Sequence, residues 1–117
     1  MKIIIADDEK DFGNLMKTVL ESKGHEVVID SNGHILNHLR EELPDLILLD
    51  INLQSLDGGD LCTRLKEKPL TKHIPIILIS AIMDLKQISQ FCGAEDFLIK
   101  PFEKAELLEK IDRYLQN

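Results

Sequence analysis

Short apolar runs alternate with helix-period segments along the whole chain. Ile3-Ile4-Ile5-Ala6, Val27-Val28-Ile29, Leu46-Ile47-Leu48-Leu49, Ile76-Ile77-Leu78-Ile79 and Phe97-Leu98-Ile99 are continuous runs, not alternating ones. That is the mark of strands buried on both faces of a parallel sheet wrapped by helices. After the first run, Phe12, Leu15, Met16, Val19 and Leu20 share one helical face, with Gly24 as the C-cap. Ile35, Leu36, Leu39 and Leu43 predict a second helix, capped by Ser31 or Asn32 and stopped by Pro44. A turn-rich stretch, Ser55-Leu56-Asp57-Gly58-Gly59, leads into a third helix bearing Leu61, Cys62 and Leu65. A short fourth helix carries Leu85, Ile88, Phe91 and Cys92 between Asp84 and Gly93, and a last one carries Leu107, Leu108, Ile111 and Leu115. The pattern is (βα)5, a single α/β domain over residues 1–117 with no repeat, linker or output domain visible. Right-handed crossovers leave few topologies for it.

Four of the five runs end in a polar residue able to do chemistry. The first runs into Asp7-Asp8, the third into Asp50, the fourth into Ser80 and the fifth into Lys100-Pro101. In a parallel sheet these groups emerge along one carboxyl edge, where open α/β sheets bind their ligands. A nucleotide or flavin site would place phosphate-cradling backbone in the first loop; this loop is acidic and repels a bare anion. A hard cation reverses that preference, since Mg2+ takes carboxylate oxygens and keeps waters free for phosphate. Two carboxylates ~4 Å apart repel by roughly 4 kcal/mol at an effective dielectric near 20, and Lys100 supplies only one compensating charge. Asp30 and Asp57 read as ordinary capping carboxylates. Asp7, Asp8 and Asp50 together read as a metal site.

These residues carry a resemblance. Asp7-Asp8, Asp50, Asp57-Gly58, Ser80-Ala81, Gly93-Ala94 and Lys100-Pro101-Phe102, each in order and most at a strand end, resemble the receiver domain of two-component response regulators along the whole chain. The resemblance implies a flavodoxin-like three-layer sandwich with a five-stranded sheet of order 2-1-3-4-5. It implies that Asp50 accepts a phosphoryl group from the phosphohistidine of a histidine kinase or phosphotransfer protein. Asp8 and Asp50 would bind Mg2+ directly, Asp7 through water and Asn52 through its backbone carbonyl. Lys100 would neutralise phosphoryl oxygens, and a cis Lys100-Pro101 bond would aim its ammonium inward. Ser80 would hydrogen bond the phosphoryl group, Phe97 would occupy the aromatic switch position, and a downstream protein would read the face made by the fourth helix, fifth strand and last helix. The domain would act alone or in a phosphorelay, as a monomer or weak homodimer.

The chain departs from the family pattern in three places. Gln54 stands where Pro is usual, Ser80 replaces the commoner Thr, and the stretch from Ser80 to Gly93 is about two residues short. Asn52 and Ile82 match positions that the resembled family uses to tune dephosphorylation, and an apolar Ile82 is expected to hinder the attacking water.

Bulk properties narrow the alternatives. With 14 basic and 21 acidic residues the net charge is −7, which argues against nucleic acid or an anionic membrane surface as direct partner. No apolar stretch approaches the ~20 residues of a membrane span, and Met1 leads directly into a strand, so a cytoplasmic protein is expected. Cys62 and Cys92 fit no metal or redox spacing and read as buried, reduced thiols. His25, His34, His38 and His73 read as surface residues away from the catalytic edge. A haloacid-dehalogenase-type phosphatase would want Asp-x-Asp, but Asp50 is followed by Ile51-Asn52. A flavin carrier fails on the acidic first loop. A binding module without phosphorylation would have no use for the intact acidic set.

Overall fold

The computed structural model describes residues 1–53 and 56–115. Gln54, and with it the expected looser loop, lies outside them. Among the described residues the chain forms β1 (Lys2–Ala6), α1 (Lys10–Glu21), β2 (Glu26–Asp30), α2 (His34–Asn37), β3 (Leu46–Asp50), α3 (Gly58–Glu67), β4 (Ile76–Ser80), α4 (Leu85–Cys92), β5 (Asp96–Ile99) and α5 (Lys104–Leu115). The strands pair in parallel in the order β2-β1-β3-β4-β5, as the flavodoxin-like expectation required.

Alternate residues of each strand feed two separate cores, because successive side chains leave a strand on opposite faces. Ile4, Ala6, Ile47, Leu49, Ile76 and Leu78 pack with Leu36 of α2, Leu61, Cys62 and Leu65 of α3, and Leu85 and Cys92 of α4. Ile3, Ile5, Leu46, Leu48, Ile77, Ile79 and Leu98 pack with Met16 and Leu20 of α1 and Leu107 and Ile111 of α5. The sheet is therefore sandwiched between α1 with α5 on one side and α2, α3 and α4 on the other. Both faces of β3 and β4 are fully covered, which accounts for their uninterrupted apolar sequence.

The helices differ from expectation in detail. α2 ends at Asn37 and does not run on to Leu43. Asn37 and His38 are weak helix formers. In a continuing helix the His34 carbonyl would accept from the His38 amide. Here it accepts from the His38 ring nitrogen Nδ1 at 2.8 Å, and that amide turns to the Ile35 carbonyl at 3.1 Å. Leu39 and Leu43 still pack on the core, but from an irregular segment in which Glu42 has φ 39°. α1 is capped at Ser22, leaving Gly24, with φ 89°, in the turn that follows. Phe91 shares the sequence spacing of the α4 core residues yet is 92% exposed. Asp84 occupies the α4 N-cap position without a side-chain cap. Gly93 closes α4 as expected, with φ 84°.

Two contacts fix the helices that flank the sheet edge. The first residue of α3, Gly58, donates its amide to the Ile51 carbonyl at 2.7 Å. A Cβ there would meet the Asp50 carbonyl oxygen and come within 2.6 Å of the Ile51 Cα. The helix thus starts hard against the end of β3, and only glycine permits it. At the far side, Asp96 of β5 accepts from Lys110 Nζ at 2.8 Å and from the Tyr114 hydroxyl at 3.0 Å, both on α5. Lys110 Nζ also donates to the Phe97 carbonyl at 2.6 Å and lies 4.9 Å from the Phe97 ring centroid. Burial pushes the Asp96 carboxyl up. Hydrogen bonds from Lys110, the Phe97 amide and Tyr114 outweigh it and hold the group below its ordinary range.

Gly58→Ala is expected to destabilise the fold by about 2–4 kcal/mol, since the clash is with backbone that cannot yield; urea denaturation measures this. Asp96→Asn is expected to lose about 1–3 kcal/mol at neutral pH, the scale of a charged hydrogen bond. The Asp96 carboxyl is depressed in the folded state. Its contribution is therefore complete above the ordinary value of 3.8 and disappears as pH falls through the lower folded value. The stability gap between the two proteins should close on acidification below about pH 4, as read by denaturation at a series of pH values.

Candidate phosphoacceptor and metal site

The polar ends of the strands converge as their register demands. β1 lies beside β3, β3 beside β4, and β4 beside β5. Asp7 and Asp8 follow β1 directly, and Asp50 is the last residue of β3. One carboxylate oxygen from each of Asp7, Asp8 and Asp50 lies within 4.8 Å of the others. Asp7 and Asp50 are buried, at 1% and 5% exposure, whereas Asp8 faces solvent. This donor set, three hard oxygens around one point, fits Mg2+.

The surroundings hold the carboxylates in place. The Glu9 amide donates to Asp7 Oδ1 at 2.8 Å, and the Asn52 amide donates to Asp50 Oδ1 at 2.9 Å. Asn52 also bridges to Asp57, which closes the loop between β3 and α3. Asp57 caps α3, accepting from the amides of Gly59 and Asp60 at 2.7 and 3.2 Å, the structural role expected of it. Asp30 likewise holds a first-turn amide, that of α2, but from within the core and not from solvent. It is buried at the end of β2 and accepts from the Leu36 amide at 2.9 Å.

Lys100 joins the acids from the far side of the sheet. Its Nζ lies 2.9 Å from Asp50 Oδ2, 3.2 Å from Asp7 Oδ2 and 3.3 Å from Glu9 Oε1. The Lys100-Pro101 bond is cis. Burial lowers the Lys100 ammonium, but the hydrogen bond and charge of Asp50, and then Asp7, raise it above its ordinary value, so it stays cationic. Burial also drives the Asp7 carboxyl above the ordinary carboxylate range. The Glu9 amide and Lys100 pull it down, and the charge of Asp50 adds to the rise.

Ser80 and Phe97 sit one and two strands away from Asp50. Ser80 ends β4, is buried, and its Oγ accepts from the Ile82 amide at 3.3 Å. Phe97 is half-buried on β5, opposite Leu78, packing against the α3–α4 side of the sheet. β4 and α4 are joined by four residues, Ala81 to Asp84, and α4 has eight residues.

Two residues of the site were not singled out from the sequence. Glu9 is an exposed third acid bonded to Lys100. The Phe12 ring, read as a helix core position, lies 4.2 Å from Lys100 Nζ and stands edge-on to Phe102 at 5.6 Å. The only sequence signal for either was closeness to Asp7-Asp8.

Comparison with known proteins agrees with this geometry. The response regulator receiver domain pattern matches residues 3–112, and the chain belongs to that family. The phosphate regulon transcriptional regulatory protein PhoB of Rhizobium meliloti is 34% identical over 99% of this chain and 52% of its own length. The alkaline phosphatase synthesis transcriptional regulatory protein PhoP of Bacillus subtilis is 33% identical over 99% of this chain and 49% of its own. The chain thus spans about half the length of these curated relatives. A Chloroflexus aurantiacus protein assigned as a response regulator superposes with a TM-score of 0.92 at 32% identity, over 99% of this chain and 98% of that one. A CheY-like receiver domain protein from Methanospirillum hungatei gives 0.86 at 30% identity, over 96% and 90%. Receiver domains are the phosphoacceptor switches of two-component signalling and not turnover enzymes in the ordinary sense. Among the described residues no helix is long and apolar enough to cross a membrane.

Proposed function

We propose that Asp50 is the phosphoacceptor and that the domain takes its phosphoryl group from a histidine kinase or a histidine phosphotransfer protein. The observation that carries this reading is the convergence of the Asp7, Asp8 and Asp50 carboxylates, within 4.8 Å, with Lys100 Nζ 2.9 Å from Asp50. No structural need of the fold explains three acids gathered at that spacing.

Each residue has a role the geometry supports. The Asn52 amide and Lys100 orient the two oxygens of Asp50, so that one attacks phosphorus as its bond to the donor imidazole nitrogen breaks. Asp7, Asp8, Asp50 and the Asn52 carbonyl would hold Mg2+. When bound, the ion supplies positive charge opposite the phosphoryl oxygens and relieves the repulsion among the acids. Lys100 supplies the protein's own charge to the same oxygens, and positioning with charge stabilisation is most of what phosphoryl transfer requires.

The output is a shift between two arrangements. The Ser80 hydroxyl, at the end of the strand beside β3, turns its proton toward the new phosphoryl group. The four-residue β4–α4 loop then follows it. Phe97 has no phenol hydroxyl, so its part is played by packing, under the Lys110 ammonium that also holds α5. The readout surface is the α4-β5-α5 face, taken by a downstream protein rather than by nucleic acid, in keeping with the net charge of −7. A cytoplasmic domain, monomeric or weakly dimeric, fits these partners.

Purified protein with Mg2+ is expected to bind beryllofluoride stoichiometrically, with chemical-shift changes from Asp50 through β4 and α4 in amide NMR. Asp50→Asn is expected to abolish both. Binding that survives this substitution refutes Asp50 as acceptor. Ile82, half-buried beside Ser80, shields the acyl phosphate from water. Ile82→Asn is expected to speed loss of label from the phosphorylated protein several-fold; an unchanged rate removes Ile82 from that role.

A further inference from the structure

Phosphoacceptor chemistry leaves two nucleophiles of the molecule unused. Cys62 lies on the inner face of α3 and Cys92 is the last residue of α4, and both are free and buried. They are separated by 30 residues in sequence, yet Cys62 Sγ lies 3.6 Å from the Cys92 carbonyl oxygen, and Cys92 Sγ lies 3.8 Å from the Ser89 carbonyl oxygen. Their environments are not equivalent. A cavity of about 390 Å3 opens between α3 and α4, lined by Ile51, Thr63, Ile88, Phe91 and Cys92. Cys92 borders that opening, and Cys62 stands behind it in the core.

We propose that Cys62 and Cys92 form an oxidisable dithiol. A small hydroperoxide entering the α3–α4 groove oxidises Cys92, and Cys62 then closes an intramolecular disulfide that ties α3 to α4. In the first step the Cys92 thiolate attacks one peroxide oxygen and the O–O bond breaks. Cys92 becomes a sulfenic acid, and the displaced oxygen leaves as the alcohol, or as water, with a proton. In the second, the Cys62 sulfur attacks the Cys92 sulfur, the S–O bond breaks, and hydroxide departs as water with the Cys62 proton. Two thiols lose two electrons to one hydroperoxide, and the balance needs no other reactant.

The division of labour follows from the local fields. The neighbouring Cys62 thiol lowers the Cys92 thiol to about 7 against the opposing effect of burial. Backbone hydrogen bonding and the Lys66 ammonium push in the same direction. Lys66 is pinned nearby, donating to the carbonyls of Lys72 and Ile74 at 3.2 and 2.7 Å and to Glu95 at 2.7 Å. Cys62 is driven the other way, up, by the neighbouring Cys92 thiol and by burial. The thiolate is the attacking form of cysteine, so the groove-facing sulfur is the one equipped to react first. The buried, protonated sulfur is placed to resolve it.

The test uses the folded, reduced protein and hydrogen peroxide near neutral pH. Intact mass should fall by two hydrogen atoms, both thiols should become unreactive to maleimide, and digestion should give one cross-linked peptide pair holding residues 62 and 92. Cys62→Ser should instead accumulate a sulfenic acid at Cys92 that dimedone traps. Cys92→Ser should leave Cys62 at least about tenfold slower to oxidise, as expected for a buried neutral thiol. The wild-type protein alone can overturn the proposal. Thiols that stay free when folded but oxidise in urea defeat it, and so does disulfide formed only between chains. Equal reactivity of the two single variants overturns the assigned order of attack.

Discussion

The Lys100 ammonium is the charge on which this sheet edge depends. Two buried carboxylates, Asp7 and Asp50, end adjacent strands, and without a counter-ion their repulsion would act in a poorly screened environment. Lys100 reaches both from the far end of the chain, two strands from Asp50 and three from Asp7. It also lies over the Phe12 ring, so its position is tied to α1 as well as to β5. One ammonium faces three carboxylates, those of Asp7, Asp50 and Glu9, and burial raises the Asp7 carboxyl despite it. Such a cluster suits a divalent cation, and in the proposed reading Asp50 serves both as ligand and as phosphoacceptor.

The rest of the architecture restrains the two sides of that edge to different degrees. Behind Asp50, the β3 strand is covered on both faces, and α3 begins in backbone contact with its end through Gly58. Asp57 and the Asn52 bridge close the loop between them. Among the described residues, the β4–α4 connection has fewer such polar restraints. Asp84 makes no side-chain cap, the Ser80 hydroxyl has a single long hydrogen bond, from the Ile82 amide, and Met83 is 98% exposed. Regions with few buried contacts are where low-energy rearrangement is found, and here that region adjoins the hydroxyl expected to sense a phosphoryl group. On the opposite flank of β5, Asp96 and Lys110 bind α5 to the strand that carries Phe97. Phe97 therefore stands between α4 and the anchored α5.

α4 also joins this machinery to the thiol pair. Its N-terminal end follows the β4 loop, and its C-terminal residue is Cys92, in contact with Cys62 of α3. Any covalent tie there would fasten the one helix of the switch face that the site leaves least constrained.

Much of this was legible in the sequence because it is encoded locally. Uninterrupted apolar runs mark strands covered on both faces, helix periodicity marks the elements between them, and an acid, hydroxyl or ammonium closing a run falls at the carboxyl edge by the direction of a parallel strand. The five strands, their order through the family resemblance, and the convergence of Asp7, Asp8, Asp50 and Lys100 all follow. What tertiary structure alone decided involves partners remote in sequence or competing for the same group. The extent of α2 was settled when the His38 ring took the carbonyl a further turn would have used. Phe91 has helical spacing like its buried neighbours, but its side of α4 has no sheet beneath it. Cys62 and Cys92 fit no motif, because a spacing of 30 residues carries no signal until α3 and α4 pack side by side. Period and run length report which face of an element is apolar; only packing determines what lies against that face.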